Sequence, residues 1–395
     1  MRPMSGLRIL ITNLKLEGWT GTELFARDLA RGLLEAGHRP VLYSPRLGKL
    51  AAEIRRETVP VVEDLRKLST TPDIIHGQHA NETLTALLHF PRAPALYFCH
   101  DWYSGDDYPP RFPRVLRYAA ADEQCYDKLV CEFGVPEERT RVVGQFVDLG
   151  RFAARAPLPA RPRRAAVLCN HTKENKHLRA AREACARRGM KLDVYGIGVG
   201  NTCERPEEVL RGYDVVFAKG RAALEAAAVG ACVVVYWWRQ LGPLVKAVEL
   251  ERLRAGGFGR RSMGPLLLTP EEFGRGVERV LEDYDAADAA EVSRRVRASA
   301  GRDAAVGELL ELYEEAIAEH AAAPPDRELE GRAAAAHLRE LSLAFSRHRE
   351  AIYNSTPYRV TERLRRTPIL GRLSRALARS FVGRRDGQKA ESSRQ

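Results

Sequence analysis

The sequence has no run of eighteen apolar residues, so it offers no stretch long enough to cross a bilayer as a helix. A charged, apolar leader pattern is also missing, because the chain runs almost at once into the strand-like LRILIT. Both absences set the expectation of a cytoplasmic protein. Cysteine is sparse and unpatterned: Cys99, Cys125, Cys131, Cys169, Cys185, Cys203 and Cys232 are odd in number and never spaced as C-x-x-C. That spacing speaks against a disulfide framework and against a zinc site, so no metal is expected. Net positive charge is scarce outside one segment. Thr356 to Gln395 holds eleven Lys/Arg against three Asp/Glu, a net +8 of the chain's +11. The rest of the surface is not that of a nucleic-acid binder, and the basic residues lack interleaved aromatics.

What is present is a folding pattern. With 395 residues, 45% apolar and 29% charged, the chain can bury two α/β cores and carry an appendage. Short β-branched runs alternate with helix-period segments: LRILIT, TELFARDLARGLLEAGH, PVLYS, PDIIH, NETLTALLHF and APALYFCH. Such alternation predicts a parallel sheet covered by helices on both faces. RAPLPARPRR, Arg155 to Arg164, reads as a semi-stiff linker, and beyond it the alternation resumes with AAVLCN, KLDVYGIG, YDVVF and CVVVYW. The expected organisation is an α/β protein of two doubly wound domains, 1–160 and 165–320, then a helical extension over 321–355 and a basic tail over 356–395.

In an open parallel sheet, ligands bind beyond the carboxyl ends of the strands, where helix N-termini present free N–H groups. Five strand-end segments become candidates. EGWTGTELF places Thr20 and Glu23 at capping-box spacing, with Gly18 and Gly21 beside them; it reads as a helix start that is either a tight turn or a ligand loop. This loop is not G-x-G-x-x-G with a downstream acid, which weakens a nicotinamide reading. CHDW brings His100 and Asp101 to the end of the APALYF strand, and His76 and His79 end the preceding one. Each histidine is either structural or a donor to a substrate oxygen. NHTKENK offers Lys173 and Lys176 to anionic oxygens, or simply to solvent. YGIGVGN, with Gly196, Gly198 and Gly200, could let a base or diphosphate lie against backbone. Finally, GRAALEAAAVG carries Glu225 in an alanine-rich helix. Alanines let that helix lie close to its sheet, and Glu225 reads as sitting near the helix start, where a carboxylate is favoured and could chelate paired ribose hydroxyls. After CVVVYWW, Gly242 and Pro243 read as the opening of a further helix, with proline in its first turn.

The blocks GTELFARDLARGLLEAGHRPVLYSP, PDIIHGQH, YFCHD, VPEERTRVVGQFVDLGRF and GRAALEAAAVGACVVV resemble, in order, those of family 4 glycosyltransferases of GT-B fold. The resemblance spans roughly residues 7 to 320. It implies two Rossmann-like domains facing across a cleft, the C-terminal one holding a nucleotide diphosphate sugar as co-substrate and the N-terminal one holding the acceptor. It implies transfer with retention, and no bound metal or other cofactor. Glu225 matches the second acid of the family's E-x7-E element, Lys176 the lysine of its diphosphate pair, His100 the histidine at the catalytic cleft with Asp101 beside it, and Gly18 to Gly21 the first loop. The sequence departs from the family pattern at three positions. Phe217 stands where the first acid is usual, Asn170 where the paired arginine is, and Gln145 where asparagine is, while Asp148 is retained. Lys219 and Arg221 are expected to offset the lost charge. The acceptor is expected to be a small molecule, a glycan or a lipid-linked molecule.

The tail spaces Ile369, Leu370, Leu373, Leu377 and Phe381 helically among arginines, a pattern of peripheral membrane contact, of a helix packed on the body, or of a disordered segment; Pro368 and Gly371 interrupt it. Two other functions compete with sugar transfer: a nucleotide-sugar epimerase or hydrolase of the same fold, and a catalytically lapsed scaffold acting through its tail.

Overall fold

The computed structural model describes residues 6–263, 267–323 and 325–366. The apolar positions of the tail, Ile369 to Phe381, lie outside the described residues. The chain divides into two compact units, Met1–Arg327 and Glu328–Gln395. The first contains two sheets. One runs β3-β2-β1-β4-β5-β6-β7, from β1 (Arg8–Thr12), β2 (Arg39–Tyr43), β3 (Val61–Val62), β4 (Ile74–Gly77), β5 (Ala95–Cys99), β6 (Val115–Ala120) and β7 (Thr140–Val142). All of its pairs are parallel. The other runs β12-β11-β10-β8-β9, from β8 (Arg164–Leu168), β9 (Lys191–Tyr195), β10 (Val215–Ala218), β11 (Cys232–Trp237) and β12 (Gln240–Leu244), parallel except for β11 with β12. Strand order reverses at β1/β4 in the first sheet and at β8/β10 in the second, which opens a crevice at the carboxyl edge of each.

Alternation along β10 decides what each face meets. Val216 and Ala218 turn to a cluster built on the alanine-rich helix Gly220–Val229, while Val215 and Phe217 turn to the opposite face with Val234, Tyr236 and Phe273. Ala223, Ala226, Ala227 and Ala228 are fully buried, since only a methyl group fits between that helix and the strands. The helix ends at Gly230, whose φ of 96° is the left-handed conformation that glycine adopts without strain.

Two elements differ from expectation. Gly242 and Pro243 open no helix: they lie in β12, the antiparallel edge strand. An edge position tolerates a residue without an N–H, and the turn before it is made by Trp238, at φ 52°. The helix Arg302–Ala322, assigned from sequence to the second domain, packs on the first sheet instead. Tyr313 Oη lies 2.6 Å from His76 Nδ1 of β4, and Arg117 of β6 donates to Glu315 at 2.8 Å. The chain crosses back at the bridge between Val147 and Gly301.

The unit from Glu328 onward carries the long helix Arg327–Asn354, which has no buried residue, and the helix Thr356–Arg366. Among the described residues no helix is long and apolar enough to cross a membrane.

Candidate functional site

A cavity of about 350 Å³ lies between the two sheets of the first unit. Its lining comes from the carboxyl ends of strands on both sides: Trp19 to Thr22 after β1, His100 and Asp101 after β5, Leu168 to His171 at β8, Tyr195 and Gly196 at β9, and Lys219 to Ala222 with Glu225 after β10. Leu24, Gln145, Cys203 and Pro206 complete the wall.

The wall from the first sheet is held by two buried carboxylates. Glu23, on the helix Gly21–Glu35, accepts the backbone amides of Glu17 (2.7 Å), Gly18 (2.9 Å) and Thr20 (3.1 Å) as well as the Thr20 hydroxyl. The capping box thus forms, and it consumes the amides with which this loop could have received an anion. Asp107 clamps the next loop: its Oδ2 accepts His100 N and Asp101 N at 2.5 Å each, and its Oδ1 accepts Tyr97 Oη at 2.8 Å. Burial pushes its pKa up to about 6 against those bonds and Lys128. His100 stands edge-on to Phe25 (centroids 4.6 Å) and beside Phe98 (4.5 Å). Burial, and then the neighbouring His79, His76 and Arg221, hold its pKa well below the usual histidine value. Its surroundings thus favour the neutral imidazole, and its Nε2 has no partner among the described residues.

The wall from the second sheet is ionic. Arg221, in the first turn of the alanine-rich helix, donates from Nε to Glu225 Oε1 at 2.6 Å and from Nη2 to Asp28 Oδ2. Asp28 belongs to the helix Gly21–Glu35 of the other wall and also accepts Arg27 Nε (2.8 Å) and Arg151 Nη1 (3.0 Å). The side chains of Asp28, Arg221 and Glu225 are 0%, 6% and 4% exposed, a degree of burial that ions tolerate only when paired. Arg221 Nη1 has no hydrogen-bond partner among the described residues. Glu225 Oε2 takes no hydrogen bond among the described residues. Lys219 caps the helix with its backbone, and its Nζ lies 4.7 Å from the Trp237 ring centroid.

The structure therefore brings together His100, Asp101, Asn170, Lys219, Arg221, Glu225, Gly196, Thr20 and Gly21 around one cavity. It does not bring in the others. Lys176 is exposed at the start of the helix Lys176–Arg187, outside the lining, because Asn175 starts that helix by capping Leu178 N at 2.9 Å. Gly242 and Pro243 are in the edge strand, so no second helix N-terminus stands there. Gly18 lies outside the lining, its amide bound to Glu23. His79 is buried at the head of the helix Ala80–His89, its Nδ1 accepting Leu14 N at 3.2 Å. The glycines after β9 answer a different need from the one expected: a Cβ on Gly196 would collide with the Cys169 carbonyl, and one on Gly198 with that of Thr172. They admit the protein's own loop. Glu225 is also mid-helix, the sixth of ten residues, so Arg221 rather than the helix dipole stabilises it. Phe217 is a core residue, 1% exposed and edge-on to Tyr236. Sequence reasoning missed Asp28 and Asp107, whose partners the fold supplies, and the aromatic lining at Trp19 and Tyr195.

The Glycosyltransferase Family 4 model matches residues 19–151. Among solved structures, the chain is similar to a glycosyltransferase from Rickettsia africae (14% identity, 80% of this chain and 99% of that one, TM-score 0.55). It is also similar to HepE of Anabaena in complex with UDP and glucose (14%, 77% and 98%, 0.53) and to sucrose-phosphate synthase of Thermosynechococcus elongatus (12%, 79% and 100%, 0.51). No curated protein matches the sequence. The likeness to Glycosyltransferase Family 4 thus covers residues 19–151, in a chain whose fold is the GT-B fold of these glycosyltransferase structures.

Proposed function

We propose that this glycosyltransferase moves a sugar from a nucleotide diphosphate sugar to an acceptor hydroxyl, with retention at the anomeric carbon. The observation that carries the reading is the position of the Glu225 carboxylate. One oxygen is fixed by Arg221 and the other takes no hydrogen bond among the described residues, in the same cavity as His100, whose Nε2 has no partner among them. Glu225 Oε2 accepts the ribose hydroxyls. The diphosphate lies at the start of the alanine-rich helix, where the amides of Arg221 and Ala222 have no acceptor among the described residues, beside Lys219 and Arg221 Nη1. In the reaction the bond from the anomeric carbon to the diphosphate oxygen breaks and the bond to the acceptor oxygen forms on the same face. The acceptor proton passes to the departing diphosphate, whose growing charge the helix amides and Lys219 stabilise. His100 holds the acceptor or sugar oxygen from the opposite wall.

Isothermal calorimetry with UDP, ADP, GDP and dTDP tests the donor site. One of them binds, and Glu225→Gln weakens it about tenfold to a hundredfold, the worth of hydrogen bonds to a charged group. Binding of none, or equal binding by the variant, overturns the reading. Product analysis without acceptor separates transfer from hydrolysis or epimerisation.

A further inference from the structure

The loop that begins with His100 and Asp101 buries little of its own. Asp101, Trp102, Tyr103, Gly105 and Asp106 are exposed, so apolar packing does not fix where the two cavity residues stand. Polar pins do, and those that reach the loop from further along the chain come from one helix. It is α-helical over Glu123–Asp127 and widens into a π turn over Lys128–Glu132, a rare distortion that recurs at functional sites. Both ends of the π turn reach the loop. Lys128 is 4% exposed, and its Nζ donates to the carbonyls of Asp101 (2.9 Å), Ser104 (3.3 Å) and Asp107. Glu132 Oε1 accepts the Trp102 indole at 2.9 Å. Burying an ammonium is costly unless its three donors are satisfied, and here satisfying them fixes one shape of the loop.

The other end of this helix is tied to the second-sheet side. Gln124 Nε2 donates to Gly256 O at 3.1 Å, and Arg261 pairs with Asp127. Between these contacts Gly257, at φ 62°, lies so close to Asp122 that a Cβ would overlap its carboxylate. Phe258 follows at φ 47°, and its carbonyl accepts the amide of Gly220 at 3.4 Å. Gly220 opens the alanine-rich helix. Hydrogen bonds and one short helix thus connect the start of that helix to the His100 loop by a route outside the cavity. We propose that Lys128 is a positioning residue for His100 and Asp101, and that the helix over 123–132 ties the position of their loop to the start of the alanine-rich helix. The proposal rests on the transferase reading above in one respect, that this helix start seats the donor diphosphate. A diphosphate drawn to the Arg221 and Ala222 amides displaces Gly220, and the displacement reaches Trp102, which is not part of the cavity lining.

The full chain, carrying 15N at the indoles of its four tryptophans, is compared by NMR with Lys128→Met and Gln124→Ala, and amide exchange over 100–107 is followed by mass spectrometry. Trp102→Phe identifies the Trp102 signal. Exchange over 100–107 quickens about tenfold to a hundredfold in Lys128→Met, the scale of hydrogen bonds to a charged group. Gln124→Ala moves the Trp102 signal of the free chain, although Gln124 touches no residue of the loop. Whichever of UDP, ADP, GDP and dTDP binds in calorimetry moves the same signal in the parent, and about twofold less in Gln124→Ala at equal occupancy. Parent-like exchange in a folded Lys128→Met, a Trp102 signal indifferent to Gln124→Ala, or a nucleotide-induced shift equal in both chains overturns the proposal. If Lys128→Met does not fold, the Gln124→Ala comparison decides alone. Binding of no nucleotide, with both variants acting on the free chain as stated, removes the donor reading and leaves the positioning role standing.

Discussion

The two walls of the cavity solve opposite electrostatic problems. On the first-sheet side, desolvation favours neutral groups: half-buried His100 stands in the wall against Phe25 and Phe98, buried His76 and His79 lie behind it, and burial holds all three imidazoles below the usual histidine value. On the second-sheet wall each buried charged group has an opposite charge in contact, Arg221 between Asp28 and Glu225 and Asp28 among three guanidinium groups, although burial still holds the Glu225 carboxyl above its ordinary value against the pull of Arg221. A neutral wall suits an acceptor hydroxyl and a reacting carbon, while a charged wall suits a ribose and a diphosphate. The walls are not independent, because Asp28 rises from the helix behind the first and reaches the arginine of the second. On the proposed reading, the grip on the donor is therefore set in part by a residue of the acceptor side.

The largest effect comes from breaking the charged wall. Arg221→Met leaves Glu225 buried without a cation, and loss of one partner of such a pair costs about 3–5 kcal/mol. Urea denaturation should register it as a lower midpoint at unchanged slope. Combining it with Glu225→Gln should recover part of the loss, since the stranded charge is then gone. A variant as stable as the parent would mean that the wall is wet and the pairing incidental. Next in size is the neutral wall. His100→Phe keeps the packing against Phe25 and Phe98 but removes both ring nitrogens, so kcat should fall about a hundredfold while thermal stability and nucleotide affinity hold. A loss of stability with kcat retained would assign His100 to packing alone.

The contrast between the walls also explains what could be read from the sequence. The sheets and the alanine-rich helix were legible because their signals are local: β-branched runs, the Thr20–Glu23 spacing, a glycine at the helix end. His100, Lys219 and Glu225 reach one cavity because strand ends in such sheets converge, a property of the topology rather than of those residues. Asp28 carried no signal, since its partner Arg221 is 193 positions away, and within its own helix it reads as one more solvated acid. Pro243 misled for a related reason: proline fits both a first helical turn and an edge strand, and only the hairpin at Trp238 decides between them. Gly196 and Gly198 looked like room for a ligand, but which backbone fills a missing Cβ depends on a loop from a different strand. The crossing of the last helix of the body onto the first sheet was hidden too, because its Tyr313 and Glu315 find their partners about two hundred residues upstream.

The smallest effect sharpens the neutral wall by its proton count. His76 is fully buried, and desolvation lowers its pKa from 6.5 to about 3. Between those values the unfolded chain binds this proton and the folded one does not, so stability rises with pH through the window and is fully present above 6.5. Stability is lost as pH falls below 6.5. Asp107 acts with the opposite sign, because its folded pKa of about 6 lies above the ordinary 3.8, and it offsets one histidine proton between those two values. Total slopes therefore mix several groups, but a difference between variants does not. His76→Phe removes a single titrating site and strands the Tyr313 hydroxyl, a penalty independent of pH in this range. The stability curve of the variant should be displaced downward by a constant and flattened between pH 6.5 and about 4 by one proton, about 1.4 kcal/mol per pH unit. A displacement without flattening would mean that His76 is protonated in the folded protein, and the first wall would then be as charged as the second.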